Sequence, residues 1–245
     1  MSALGHYLEV EGIPTVAISL VRPQTERTRP PRALWVPFEL GRPLGAPSDA
    51  AFQRRVVLAA LRLLEAPNGP VLLEDFPDDD PRARPDPAWR APLARFDPAA
   101  ATAHDGLPSA LEIEAPQLAP LYAAARAQRG GRTTVGLSGM TIDAAVRYVA
   151  DFLRGKPMTS PSAEVSPVLA LRFAADDLKA FYTEAASAGS AKPSSRQIGD
   201  WFWNDSAAGA ALQALRRTHL DSPDDRLKLI AGLFLVPGAR VPNSC

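Results

Sequence analysis

Cysteine and histidine are nearly absent from this chain of 245 residues. The single cysteine, Cys245, is the last residue, which excludes an intrachain disulfide, a Cys-rich zinc site and a Cys-x-x-Cys redox pair. His6, His104 and His219 stand far apart, outside any metal-ligand spacing, and read as surface or helix-packing residues. Neither sign of charge prevails, because 27 Lys and Arg balance 27 Asp and Glu. Without a global field, neither nucleic acid nor an anionic membrane is expected as a partner. No apolar run approaches the length of a membrane span, and the opening MSALGHYLEVEG has no basic region followed by an apolar core. A cytoplasmic location is the expectation. Catalytic motifs are missing too. GLSGM (Gly136–Met140) is wrongly spaced for a nucleophile elbow, and there is no Gly-x-Gly-x-x-Gly after a strand and no Gly-Lys-Ser/Thr loop. No metal or cofactor is expected.

Proline, by contrast, is plentiful, and it divides the chain. In 1–76 the pattern is α/β. SALGHYLEVEG reads as a helix stopped by Gly12, PTVAISLV (Pro14–Val21) as a buried strand and ALWVPF (Ala33–Phe38) as a second, short strand. Ser48 or Asp49 caps the next helix, whose Phe52, Val56, Ala59, Ala60, Leu63 and Leu64 fall at helical spacing. A turn at Pro67–Pro70 leads to a third strand, VLLEDF (Val71–Phe76). The expected architecture is a short, mainly parallel sheet with flanking helices.

Residues 77–108 carry prolines at 77, 81, 85, 87, 92, 98 and 108, too many for a regular element to persist. Trp89, Leu93 and Phe96 point to a loop packed against something rather than a free linker. From 109 to 245 the pattern is mainly α-helical. Pro116 is placed in the first turn of a helix running to about Gln128, and RTTVGLSG (Arg132–Gly139) reads as a short extended piece. Thr141 caps a helix with an Ile142, Ala145, Val149, Phe152 stripe. A long helix follows the linker 156–167, another starts near Ser194 or Ser195 with a break near Asn204–Ser206, and Ser222 caps the last.

Three constellations carry possible chemistry. On the long helix Asp176, Asp177 and Glu184 invite a metal or acid–base reading, although a solvated helix face explains them more simply. Trp201, Phe202 and Trp203 suit helix packing, with an aromatic ligand contact as the alternative. The segment RPPRALWVPFELGRPLGAPSD (Arg29–Asp49) leaves a strand and enters a helix. Arg27, Arg29, Arg32 and Arg42 supply fixed positive charge around it, and Gly41 and Gly45 permit close backbone approach. Such junctions are common anion sites in open α/β sheets, and a rigid structural turn is the competing account.

GIPTVAISLV, that same segment and FQRRVVLAALRLLEA together resemble the B component (selenoprotein B) of the glycine, sarcosine, betaine and D-proline reductases. The matching residues are Gly12, Ile13 and Pro14, then Pro43, Leu44, Gly45 and Pro47, within about the first quarter of the chain. The resemblance implies reduction of a small amino-acid-derived substrate at a selenocysteine or cysteine centre. That centre would precede the helix leading into Gly-Ile-Pro, a position without a counterpart here, so whether the chain is an enzyme stays open. Either the scaffold serves another use or the true start lies upstream.

The functional expectation is therefore binding of a small anionic or zwitterionic, amino-acid-like ligand by Arg32, Glu39, Gly41, Arg42, Gly45 and Ser48. One alternative is a non-enzymatic scaffold or homo-oligomer, with a protein partner meeting the helix around Trp201 and the Pro-rich segment. A third reading is carboxylate-dependent catalysis through Asp176, Asp177 and Glu184.

Overall fold

The computed structural model describes residues 2–66, 71–97 and 106–241. His104, Cys245 and the turn expected at Pro67–Pro70 lie outside them. The chain forms two compact units, Met1–Pro85 and Asp86–Cys245, which divide inside the Pro-rich segment.

The first unit is α/β. It contains α1 (Ser2–Val10), β1 (Ala17–Ser19), α2 (Arg22–Thr28), β2 (Arg32–Trp35), α3 (Ala50–Arg62) and β3 (Leu72–Asp75). The three strands form one parallel sheet in the order β1-β2-β3, with Ala17 opposite Ala33 and Ala33 opposite Leu73. Strand alternation places Leu34 and Val36 on one face, where they join Phe52, Val56, Ala60 and Leu63 from α3 and the adjoining turn. Phe38, Phe52 and Phe76 close this core, their ring centroids 5.4–5.9 Å apart in tilted and edge-on pairs.

Two expectations change here. The first strand is three residues long and half-buried, because β1 is an edge strand paired on one side only. Pro23 then sits in the first turn of α2, a short helix that the sequence pattern did not suggest.

The second unit is helical. It comprises α4 (Gly106–Gln117), α5 (Ala119–Gln128), α6 (Ile142–Leu153), α7 (Pro167–Ala186), α8 (Ser195–Asp205), α9 (Ala207–His219) and α10 (Asp225–Leu233). The central helix, α7, packs against α5, α6, α8 and α10, and eleven of its residues are buried. Local caps set the boundaries. Thr141, Ser166, Ser194 and Ser206 each accept a backbone N–H from three residues ahead, and Ser194 completes a capping box with Gln197.

Pro116 does not start a helix. It is the penultimate residue of α4, where its missing N–H removes only one late bond, and Pro120 occupies the first turn of α5 instead. The last helix is capped by Asp224 rather than Ser222, because the Asp224 carboxylate accepts from both Arg226 and Leu227 N–H groups.

The Pro-rich segment is a packed strap from Asp86 to Phe96. The Asp86 N–H donates to Gln197 Oε1 at 2.7 Å, the Trp89 indole donates to Ala186 O at 3.0 Å, and the Phe96 N–H donates to Asp205 O at 2.8 Å. Trp89 and Leu93 lie against the helical core. Among the described residues, no helix is long and apolar enough to cross a membrane.

Candidate functional site

The β2–α3 loop, 36–49, leaves the carboxyl edge of the sheet. Its path depends on three left-handed positions in eight residues: Gly41 (φ 88°), Gly45 (φ 82°) and Ser48 (φ 65°). A side chain at Gly45 would lie 2.7 Å from the Phe52 ring, so the loop packs directly on α3 there. Ser48 adopts this conformation with a Cβ, a strain that surrounding structure must hold. The Arg42 N–H donates to Glu39 O at 3.0 Å and the Gly45 N–H to Arg42 O at 2.9 Å, while Gln53 Nε2 donates to Ala46 O at 2.9 Å.

Glu39, Gly41, Arg42, Gly45 and Ser48 all lie in this loop, where Arg42 contacts Glu39 and Gly45, and Arg32 lies outside it. Arg32 opens β2, at the amino end of the strand, and its guanidinium donates to Glu9 of α1 at 2.6 Å. That charge also holds the Glu9 carboxyl below its usual range, after the larger effect of the Thr15 N–H. Arg27 and Arg29 likewise precede β2, and the Arg29 carbonyl accepts from the His6 ring. Nor is the α3 N-terminus open to an anion, because Asp49 caps it by accepting from the Phe52 N–H at 3.0 Å.

Two cations that the sequence did not single out stand at the carboxyl edge instead. Arg22, just after β1, donates to Asp75 at the end of β3 at 3.0 Å and also pairs with Glu26. Arg55 of α3 pairs with Asp78 and lies over the Phe52 and Phe76 rings at 5.7 and 6.0 Å. Arg42 completes the set with Glu39, at 3.4 Å. The edge is therefore rimmed by three exposed guanidinium–carboxylate pairs, one from each strand-end connection. The signal for Arg22, Asp75 and Asp78 was charge at the ends of β1 and β3, in SLVR and LLEDFPDDD, whereas Arg55 on α3 had none.

The carboxylates of α7 have a different task from any expected. Asp177 and Glu184 are 1% and 4% exposed, not solvated. Asp177 accepts from the N–H groups of Gly136, Leu137 and Ser138 at 2.8–2.9 Å and from the Ser138 hydroxyl at 2.5 Å. Glu184 accepts from the N–H and hydroxyl of Thr134 and the hydroxyl of Thr133, at 2.7–2.9 Å, with Arg129 3.3 Å away. Burial pushes the Glu184 carboxyl up, but these donors outweigh it and hold the group below its usual range. The two acids thus brace the 133–138 loop from positions two turns apart on one helix face. Asp176 turns away to Lys179 at 2.6 Å. Among the described residues, no group of three potential metal ligands exists.

Trp201, Phe202 and Trp203 are all buried in the helical core, with Trp201 stacked on Tyr182 at 5.9 Å. Trp201 and Phe202 are therefore packing residues, and the Trp201 ring expected to meet a partner is interior. Sequence reasoning also missed Glu114, a buried acid whose carboxylate accepts from the Ala207 N–H at 2.9 Å and from the Tyr182 hydroxyl at 2.8 Å. Burial raises its pKa despite those bonds, and burial together with the Glu114 charge keeps the Tyr182 phenol well above its usual value. Its signal was an acid placed within the apolar spacing Leu111, Ala115, Leu118.

No family model, curated protein or solved structure matches this chain.

Proposed function

We propose that this chain is a small-metabolite-binding protein akin to the B component of the glycine, sarcosine, betaine and D-proline reductases. It takes a zwitterionic or anionic, amino-acid-like ligand at the carboxyl edge of its sheet, and a cytoplasmic setting belongs to the same reading. The observation that carries it is the rim of three exposed ion pairs around a strained loop, Arg22–Asp75, Arg42–Glu39 and Arg55–Asp78. Parallel sheets gather ligands at this edge. Exposed pairs contribute only about 0–1 kcal/mol each, so opening one costs little. A ligand bearing both charges meets a guanidinium and a carboxylate at once, whereas a singly charged one leaves a partner unmatched. In this role the chain presents the amino-acid-derived molecule, and no reductive step is assigned to its residues.

A thermal-shift and calorimetric screen of glycine, sarcosine, proline and glycine betaine, against acetate and glycinamide, tests this. The zwitterions should stabilise the protein, by about 2.7 kcal/mol at a hundredfold excess over Kd. Arg42→Ala should abolish the effect. Stabilisation that survives Arg42→Ala moves the site off this loop, and no response to any zwitterion sinks the reading.

A further inference from the structure

Independently of that edge, the helical unit contains a groove of about 730 Å³ between α8 and α9, closed on one side by the strap at Arg95 and Phe96. The volume lies within the usual range for small-molecule sites, roughly 300–1,000 Å³. Its walls follow from helical spacing. Ala210, Gln213 and Arg217 are three and four residues apart and present one face of α9, with the small Ala210 leaving room above the α8 terminus. Trp203, 8% exposed, and Phe96 give the groove an aromatic lining.

The charges there are unequal. Asp200 is held by Arg240 at 2.5 Å and Asp205 by Arg95 at 3.2 Å. Each carboxylate thus already has a guanidinium partner. Arg217 also lines the groove, and among the described residues no hydrogen bond or ion pair engages it. Of the two guanidiniums in the lining, Arg95 is committed to Asp205, and Arg217 is the one without a carboxylate. The Gln213 amide donates to Trp203 O at 2.7 Å, which fixes the wall between ring and cation. The exposed Asn204 amide adds a hydrogen-bonding group at the rim.

We infer that this groove binds an organic monocarboxylate with a flat, apolar body, its carboxylate on Arg217 and its body against Trp203 and Phe96. Guanidinium is the natural partner, because its planar fork matches a carboxylate with two parallel hydrogen bonds. An inorganic anion would leave the rings unused, and a neutral aromatic would leave Arg217 unpaired.

The test uses the full chain with phenylacetate, its neutral isostere phenylacetamide, and acetate as probes. Binding is followed by the tryptophan indole N–H resonances, with Trp203→Phe serving only to assign the Trp203 signal. Phenylacetate should shift the Trp203 indole saturably at concentrations up to about 10 mM. Arg217→Gln, an exposed substitution, should weaken that titration about tenfold or more, and phenylacetamide should bind correspondingly less well. Three results would each overturn the inference: no shift of Trp203, equal affinity of acid and amide, or an unchanged titration in Arg217→Gln. Acetate binding as tightly as phenylacetate would remove the aromatic part of it. A response confined to other tryptophans would place the probe elsewhere.

Discussion

Replacing Asp177 with alanine separates a bracing carboxylate from a reactive one. The side chain, 1% exposed, accepts four hydrogen bonds from 136–138. Bonds to a charged group contribute about 1.5–3 kcal/mol each when the freed donor stays dry. These donors are only part-buried, so water takes over some of them, and removing a buried charge also returns its desolvation cost. The net loss is then about 3–5 kcal/mol, a large fraction of the roughly 5–15 kcal/mol typical of a domain.

Urea unfolding monitored by tryptophan emission reads this loss directly, because Trp201 and Trp203 lie in the same core as α7. Hydrogen exchange adds a local readout at the amides of Gly136, Leu137 and Ser138, whose protection should collapse. Asp176→Ala is the control. It removes the neighbouring acid, whose partly exposed pairs with Lys179 and Arg172 should contribute under about 1 kcal/mol. If the Asp177 and Asp176 variants unfold within about 1 kcal/mol of each other and the loop amides keep their protection, the bracing argument is wrong.

Two further substitutions probe the α8–α9 junction. At Gly209 a Cβ would come 2.0 Å from the Phe202 carbonyl oxygen, so Gly209→Ala must force the two helices apart. It should cost about 3 kcal/mol or more, lowering Tm by roughly 6–12 °C, while Gly232→Ala on α10, with open space around it, should stabilise slightly. Glu114→Gln addresses the buried acid. Because its folded pKa is raised from 4.5, the folded state holds the proton more tightly than the unfolded one. That contribution is fully present below 4.5 and is lost as pH rises through the folded value. A stability–pH curve should therefore lose that falling segment in Glu114→Gln, and an unchanged curve would show that Glu114 does not titrate there. Glu184, with a lowered pKa, acts in the opposite sense, its contribution being lost as pH falls below its usual value, so the two windows separate.

What could be read in advance was local. A cap bonds a backbone N–H only three residues away, so Thr141, Ser194 and the break at Asn204–Ser206 were visible in the order of residues. The Asp224 cap was misplaced by two residues because Ser222 and Asp224 are both good caps, and only geometry chooses between them. The same holds for Pro116, where proline near a helix end fits either terminus. Long-range pairings left little local trace. Nothing near Arg32 announces that Glu9 will claim it, and Asp177 meets its partners about forty residues away in sequence. The loop 36–49 was legible through its glycines. Which cations stand beside it depended on the order of three strands, and Arg22 and Arg55 gained their places from that order rather than from proximity in sequence.

The buried acids of the helical unit and the sheet-edge acids of the α/β unit hold negative charge in opposite ways, and the difference bears on where a ligand can enter. In the helical unit the buried acids answer backbone donors of the same chain: Asp177 those of 136–138, Glu184 that of Thr134, Glu114 that of Ala207. Each occupies a position that an external anion would otherwise fill, and each is too deeply bonded to be displaced by a weak competitor. At the α8–α9 groove Arg217 stays available once Asp200 and Asp205 have their guanidiniums. At the sheet edge of the α/β unit Glu39, Asp75 and Asp78 stay at the surface and pair with arginines through water-screened contacts. Such pairs are marginal as structure, yet they keep both charges oriented at a sheet edge with little free energy opposing their exchange. Tight internal pairing makes the first arrangement a brace, and loose external pairing leaves the second open to the exchange that the proposed ligand requires.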